Sequence, residues 1–344
     1  MPKPRTELDL TDLKAMPKVD LHRHLEGCIR LQTIIDLARD SGVELPAWTP
    51  EELAPFAQVH QSLARLEEAL TKFAIAQNSF RSYEAVRRIA RQAVEDLAAD
   101  NVRLAELRFP PDFMCSPGGL DWDRALDAIL QGIDDASGQN VAIGLIAIAS
   151  RDYGMESARR TVDWTLANQK RLAGFDIAGP ERGFPPSRYS DVIAPLKDTA
   201  LGLTTHYGES GPPDYPKEAV EVLGTQRLGH GVSVAHDQQV TDLVGERGVT
   251  LEMCPTSNVL THAVGAAEDH PARRLLREGL KVTINTDNPG LFGIELTDEF
   301  VIARDRLGFT DEDIRTVTRN ALDASFLPDD VKQDVRNRHF SWAS

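Results

Sequence analysis

Positive charge and cysteine are both scarce in this sequence. Its 344 residues carry 38 Lys and Arg against 53 Asp and Glu, a formal net charge of −15 at pH 7. That balance argues against broad electrostatic binding to nucleic acid or an anionic membrane, and it leaves a neutral small substrate open. The three cysteines, Cys28, Cys115 and Cys254, lie far apart with no CxxC pair. An odd count without a secretory signal points to a reducing cytoplasm rather than a disulfide scaffold. The stretch from Met1 to Met16 is polar and charged, so it reads neither as a signal peptide nor as a membrane span. Internal repeats, low-complexity tracts and flexible linkers are missing as well. One domain spanning 1–344 is the expectation.

What the chain does have is alternation. Eight short apolar runs recur at 18–24, 102–109, 141–149, 173–179, 201–207, 227–231, 249–254 and 281–287. The run from Val141 to Ala149 is almost wholly apolar, as a strand buried on both faces should be. Helical patterns fill the gaps. In Tyr83 to Leu97, Val86, Ile89, Ala93 and Leu97 form one stripe at spacings of three or four. Asp237 to Glu246 and His270 to Glu278 repeat the pattern. Strand and helix alternating eight times predict an α/β fold, a (β/α)8 TIM barrel. No G-x-G-x-x-G or P-loop follows any run, which disfavours an open doubly wound sheet. Residues 25–101 are too many for one βα unit. Thr49 to Leu70 and Thr71 to Asp100 look helical, so a helical insertion after the first strand, about 45–100, is expected to cover the barrel mouth.

Four of the runs end in polar residues of metal-ligand or acid–base type. His22 and His24 are two apart on a strand and therefore point to the same side. His206 and Asp287 end other strands and could complete a cage of three histidines and one carboxylate. That set suits one zinc ion per chain, with iron, cobalt or manganese possible by chemistry alone. Glu209, three residues after His206, could serve as a proton-transfer carboxylate. His230, between two glycines, either caps a loop or joins the site. An isolated H-x-H or an Asp before Asn-Pro would be weak evidence, but active sites of this fold lie where these four meet. His60, His236, His262, His270 and His339 have no matching partners and read as solvent or capping residues. Cys254 reads as a packing thiol, because no base stands beside it.

Seven motifs run in order along the chain. They are Pro17-Lys-Val-Asp-Leu-His-Arg-His-Leu-Glu-Gly27, Leu107-Arg-Phe109, Asp176-Ile-Ala-Gly179, His206-Tyr-Gly-Glu209, Arg227-Leu-Gly-His-Gly231, Cys254-Pro-Thr-Ser-Asn258 and Asn285-Thr-Asp-Asn-Pro289. Together they resemble the adenosine deaminase family of metal-dependent amidohydrolases, over about residues 16 to 330. The resemblance implies that His22, His24, His206 and Asp287 are zinc ligands and that Glu209 protonates purine N1. It implies that His230 orients the attacking water and stabilises developing charge, and that the Gly179 N–H contacts purine N3. The H-x-E…P-C-x-x-C signature of cytosine- and tRNA-type zinc deaminases is absent.

The implied reaction is hydrolytic deamination of a 6-aminopurine nucleoside, adenosine or deoxyadenosine, to inosine and ammonia. Water attacks C6 once Glu209 has given N1 a proton, which requires a carboxyl pKa raised by burial or by neighbouring anions. Three departures from the family pattern bear on the substrate. Asn288 replaces a second aspartate that would meet purine N7, and an amide can still donate there. Glu26 replaces an aspartate near the nucleoside's 5′ end. Tyr207 replaces an alanine and is expected to add an aromatic ring beside the metal. His24, Glu26, Gly179 and Asn288 are the expected substrate contacts. Glu26 and Asn288 favour, as alternatives, adenine itself or a 5′-modified adenosine such as aminodeoxyfutalosine. A non-catalytic nucleoside- or protein-binding relative is the alternative of another class, although every ligand and the acid are kept. The expected partner is a small purine, with neither nucleic acid nor membrane; the oligomeric state is open.

Overall fold

A computed structural model describes residues 8–61 and 66–343. Its centre is a parallel eight-stranded barrel in sequence order: β1 (Lys18–His24), β2 (Val102–Phe109), β3 (Ala142–Ser150), β4 (Gly174–Ala178), β5 (Gly202–Tyr207), β6 (Arg227–His230), β7 (Thr250–Met253) and β8 (Lys281–Ile284). The eight runs expected from the sequence are these strands, and the (β/α)8 class holds. The last run is shorter than expected, because the chain leaves β8 at Ile284 and turns inward. The β1–β8 seam closes beyond the strand proper. His24 N–H donates to Asp287 O and Asp287 N–H to His22 O, both at 2.8 Å, and Leu21 N–H donates to the Asn285 side chain at 3.1 Å. The closure thus fixes Asp287 between the two histidines of β1.

Helices pack outside. Tyr83–Ala99 buries Val86, Ile89, Ala93 and Leu97, the stripe read from the sequence, and lies against the helix Trp122–Asp135. Ser82 starts it by accepting the Ala85 N–H, which satisfies a helix-end donor. Between β1 and that helix stand Leu31–Ser41, Pro50–Ala57 and Leu66–Gln77. The expected helical stretch Thr49–Leu70 is therefore not continuous: the first helix stops at Ala57, where Gln58 takes an extended conformation. This segment is stitched to the loop after β8, with Val59 N–H donating to Leu291 O and the Gln58 amide to Gly290 O, both at 2.8 Å. Among the described residues no helix is long and apolar enough to cross a membrane.

The barrel interior is ionic rather than aliphatic. Arg108 on β2 donates to Asp176 on β4 and to Glu252 on β7, each at 2.8 Å, and to Leu21 O on β1 at 2.6 Å. Arg227 on β6 reaches Glu252 at 2.6 Å and Glu106 on β2 at 2.5 Å. All five side chains are fully buried. Below them the floor is closed by Phe326, with the Arg227 guanidinium 3.5 Å from its ring centre. The ring lies against the first residues of β4 and β5, Gly174 and Gly202. A Cβ on Gly202 would come within 2.1 Å of it. Gly202→Ala should therefore cost about 1–3 kcal/mol through overpacking. Denaturant titration should show the lower midpoint, and an unchanged midpoint would mean that the floor is loosely packed.

Candidate active site

Four imidazoles meet at the C-terminal mouth of the barrel. His22 and His24 stand on the same side of β1, while Arg23 between them turns to Cys28 and Thr286. His206 lies near the end of β5 and His230 ends β6. The His22 ring centre is 4.5 Å from that of His206 and 4.7 Å from that of His230. Asp287 arrives from the β8 turn. His230 and Asp287 have φ of +64° and +62°, a left-handed conformation uncommon for residues with a Cβ. Such strain persists where the surrounding structure enforces it, and here it turns both side chains over the mouth.

Three of the rings have one nitrogen committed to a carboxylate. Nδ1 of His22 is 2.9 Å from Glu252, that of His24 is 2.9 Å from Glu26, and that of His206 is 2.9 Å from Asp176. The Nε2 atoms are left to face one another. Those of His24 and His206 are 3.2 Å apart, and Asp287 Oδ1 lies 3.4 Å from His24 Nε2 and 3.6 Å from His22 Nε2. His22 Nε2 is buried and has no hydrogen-bond partner. Four donors bound at ~2.0–2.2 Å around a tetrahedral ion sit about 3.4 Å from one another; the three spacings above are close to that, and donor atoms of His22, His24 and His206 lie within 4.8 Å of one another, as do those of His22, His230 and Asp287. An orphaned, buried ring nitrogen aimed at that centre is what a divalent metal would satisfy. Carboxylates on the far nitrogens fix the rings in the orientation ligation needs.

The electrostatics favour the same use at two of the three rings. Burial, reinforced by the Arg108 charge, holds His22 and His206 below the usual imidazole range. At His24 burial acts the same way, but the Glu26 and Asp287 carboxylates outweigh it and raise the imidazole. Burial works against ionising Asp287, but His22, His24 and His230 around it outweigh burial and hold its carboxyl well below the usual carboxylate range. Ser257 donates to its other oxygen at 2.6 Å. Glu209 behaves oppositely. Burial pushes its carboxyl up, His230 at 3.7 Å pulls it down, and Asp287 and Glu181 push it up again. The loop carrying Glu209 is clamped by Glu181, whose carboxylate accepts the N–H groups of Gly208, Glu209, Ser210 and Gly211 at 2.8–3.1 Å. Gly208 turns the chain off β5 with φ of +91°.

His24, His206, Glu209 and His230 line a cavity of about 550 Å³ with Glu26, Gly179, Asp287 and Asn288 on its polar side, and the buried His22 lies against His206 behind them. Val59, Phe73, Phe113, Leu260 and Phe292 supply an apolar side. Every residue expected from the sequence to form the site is therefore in one place. Asn288 donates to Asp287 Oδ1 at 2.7 Å, which leaves its second N–H.

Comparison with known proteins agrees with this geometry. The Adenosine deaminase family model matches residues 17–341. The chain belongs to the adenosine deaminase family. It is 36% identical to an adenosine deaminase of Erwinia tasmaniensis over 94% of this chain and 98% of the relative. Its fold matches the adenine deaminase of Arthrobacter aurescens with a TM-score of 0.87 at 29% identity, covering 95% of this chain and 99% of that one. It also matches the N6-methyl-AMP deaminase of Arabidopsis thaliana with a TM-score of 0.84 at 26% identity, over 97% and 98% of the two chains.

Within this family frame, some expectations need correction. Tyr207 adds no ring beside the site. Neighbouring strand residues face opposite ways, so Tyr207 points outward, donating to Phe184 O at 3.1 Å with the Arg151 guanidinium 4.2 Å from its ring centre. His270 caps the helix Ala272–Arg277, accepting the Ala272 N–H at 3.2 Å, but it is not a solvent residue: it is buried, and its Nε2 lies 3.1 Å from Asn258, whose amide contacts His230. His262 lines the cavity. Glu26 lines the cavity as expected and also holds His24. Cys254 is buried, and burial pushes its thiol well above the usual range, as befits a packing residue. The residues missed outright are Glu252 and, as partners of the site, Asp176 and Arg108. Glu252 did leave a signal, a lone charge in the otherwise apolar run 249–254. Glu252→Gln should weaken metal binding by about 10–100-fold and destabilise the fold by about 3–5 kcal/mol through stranded arginine charge. Metal titration and thermal unfolding of the purified variant check both effects; wild-type values would deny Glu252 this role.

Proposed function

We propose that this chain catalyses the zinc-dependent hydrolytic deamination of adenosine, and of deoxyadenosine, to the 6-oxopurine nucleoside and ammonia. The observation that carries the reading is the meeting of two kinds of group at one cavity. Three Nε2 atoms and the Asp287 carboxylate converge there, and Glu209, whose carboxyl pKa is raised, stands beside them, 3.7 Å from His230. His22, His24, His206 and Asp287 would hold the metal, and three imidazoles with one carboxylate suit zinc. Such an ion supplies hydroxide near neutral pH by lowering the pKa of water to about 7.

The chain's own residues do the rest. Glu209 in its protonated form donates to purine N1, which makes C6 electrophilic. A C6–O bond forms as the water gives up a proton, that proton passes to the amino group, and the C6–N bond breaks to release ammonia. The Gly179 N–H meets N3, and the remaining N–H of Asn288 meets N7. His230 lies on the water side of C6. Val59 and Phe73 cover the mouth within a single domain, and the enzyme works in the cytoplasm.

A nucleoside suits the cavity better than a free base or a nucleotide. Glu26 Oε2 is a buried acceptor without a partner, and a sugar hydroxyl would satisfy it. Among the described residues no lysine or arginine lines the cavity, whereas Glu26, Asp152, Glu209 and Asp287 do. A 5′-phosphate would meet anions without a cation. Adenine is the second reading, favoured by the likeness to the Arthrobacter enzyme.

Ammonia release from adenosine, adenine, AMP and N6-methyl-AMP, measured side by side, tests the assignment. The highest kcat/KM is expected for adenosine, with AMP lower by at least about tenfold, the equivalent of ~1.4 kcal/mol. A preference for adenine or for a nucleotide would transfer the reading to that substrate. Glu209→Gln keeps the shape and removes the acid. Its kcat should fall by at least about 10²-fold with metal content unchanged. In the parent enzyme kcat should be lost as pH rises through the elevated pKa of Glu209, since only the protonated form donates. A near-normal kcat in the variant would assign the proton donor elsewhere.

A further inference from the structure

The barrel is not hydrogen-bonded evenly around its circumference. β2 and β3 pair over six residues and β3 and β4 over five, but β4 and β5 pair only at Gly174 with Gly202 and Phe175 with Leu203. Beyond Phe175 the two strands part, and the seam opens towards the mouth between Gly179 on one edge and His206 on the other. Arg151, just after β3, reaches across it. Its Nη1 donates to Gly179 O at 2.7 Å and its Nη2 to His206 O. Gly179 also presses on the same segment: a Cβ there would lie 3.0 Å from Ser150 Oγ and 3.1 Å from Asp152 Oδ1. The Arg151 side chain is buried, and among the described residues no carboxylate pairs with it. The Tyr207 ring takes that place, 4.2 Å from the guanidinium, and its hydroxyl donates to Phe184 O in the loop after β4.

We propose that Arg151 is a positioning residue: it staples the parted ends of β4 and β5 and so fixes the span between the Gly179 N–H and His206, while the Tyr207 ring holds the guanidinium in place of a carboxylate. This rests on the reading that Gly179 meets purine N3 while the His206 side of the cavity meets C6. N3 and C6 lie opposite each other across the six-membered ring, so the width of the seam decides whether one purine reaches both. The two carbonyls at the parted strand ends lack a ladder partner, and a guanidinium supplies both from donors in a rigid fork. A carboxylate beside Arg151 would compete for that fork. An aromatic face attracts the cation without drawing its N–H groups from the carbonyls.

Hydrogen exchange of the metal-loaded enzyme, followed by peptide mass spectrometry, reads the seam without turnover. R151M strands no paired anion, so the variant should fold. Exchange over residues 176–182 and 204–211 should quicken by at least about tenfold, while β1 and β2 stay within about threefold of wild type. Unchanged exchange at the seam, or an equal rise around the whole barrel, would overturn the proposal. Y207L leaves Arg151 in place and carries the same test at smaller amplitude. Y207F keeps the ring face and Y207L removes it, so the seam should loosen in Y207L by at least about threefold more than in Y207F. Equal exchange in the two would overturn the role given to the ring. Two analogues then read the span. Binding of 1-deazaadenosine, which keeps N3, should weaken in R151M by at least about fivefold, and that of 3-deazaadenosine, which lacks N3, by less than about twofold. Equal weakening of both, or of neither, would overturn the positioning role. Ammonia release judges the substrate reading separately, and exchange measured without purine judges the staple whichever aminopurine the enzyme accepts.

Discussion

The contact on which the site depends is the Glu252 carboxylate, shared between the guanidinium groups of Arg108 and Arg227 at 2.8 and 2.6 Å. Taking these charges out of water costs several kcal/mol per ion, and a well-packed apolar core would serve stability as well. What the ions give instead is direction. Glu252 also faces His22 Nδ1 at 2.9 Å, and Arg108 holds Asp176, which holds His206. One web in the barrel floor thus orients two of the three ligand-type rings above it. Glu26, in the turn just after β1, sets the third, so that the three Nε2 atoms converge.

Above the web, the opposite wall is set by backbone. The Glu181 carboxylate binds four successive N–H groups of the loop after β5, so the position of Glu209 is tied to the loop after β4 that also presents Gly179. A purine that contacts Gly179 therefore meets a Glu209 already at a fixed height. The left-handed turns at His230 and Asp287 complete the arrangement. Strain held at these two residues, one ending β6 and one beyond β8, fits a site made rigid before substrate enters.

How much of this was legible follows from what sequence patterns encode. Period-two alternation and apolar runs located all eight strands, and the His22–His24 spacing put both rings on one side. The same rule shows that Tyr207, next to His206, had to face away; its chemistry suggested a ring at the site and its register forbade it. Partners across the barrel left weaker traces. Nothing in the spacing of Glu252, Arg108 and Asp176 states that three different strands bring them together, because a strand's own period is silent about which residue stands opposite. His270 and Asn258 were harder still, since a buried amide relay has no periodic signature and a loop histidine looks like any other. The broken helix at Ala57 was missed because propensity reads helix on both sides of an extended Gln58.

The Asp287–Asn288 pair shows how a departure from the family pattern acts through its neighbour. Two adjacent carboxylates in this pocket would repel, and one of them would be driven towards its protonated form. Asn288 instead donates to Asp287 Oδ1 at 2.7 Å, a bond that favours the ionised aspartate. The oxygen it touches is the one that faces His22 and His24. Asn288 therefore stands in two relations at once. One N–H steadies the anionic Asp287 carboxylate, and the side chain also lines the cavity. The amide adds no charge to a cavity already lined by Glu26, Asp152 and Glu209. A neutral ring and a neutral sugar lose little by that exchange, because neither depended on the missing charge.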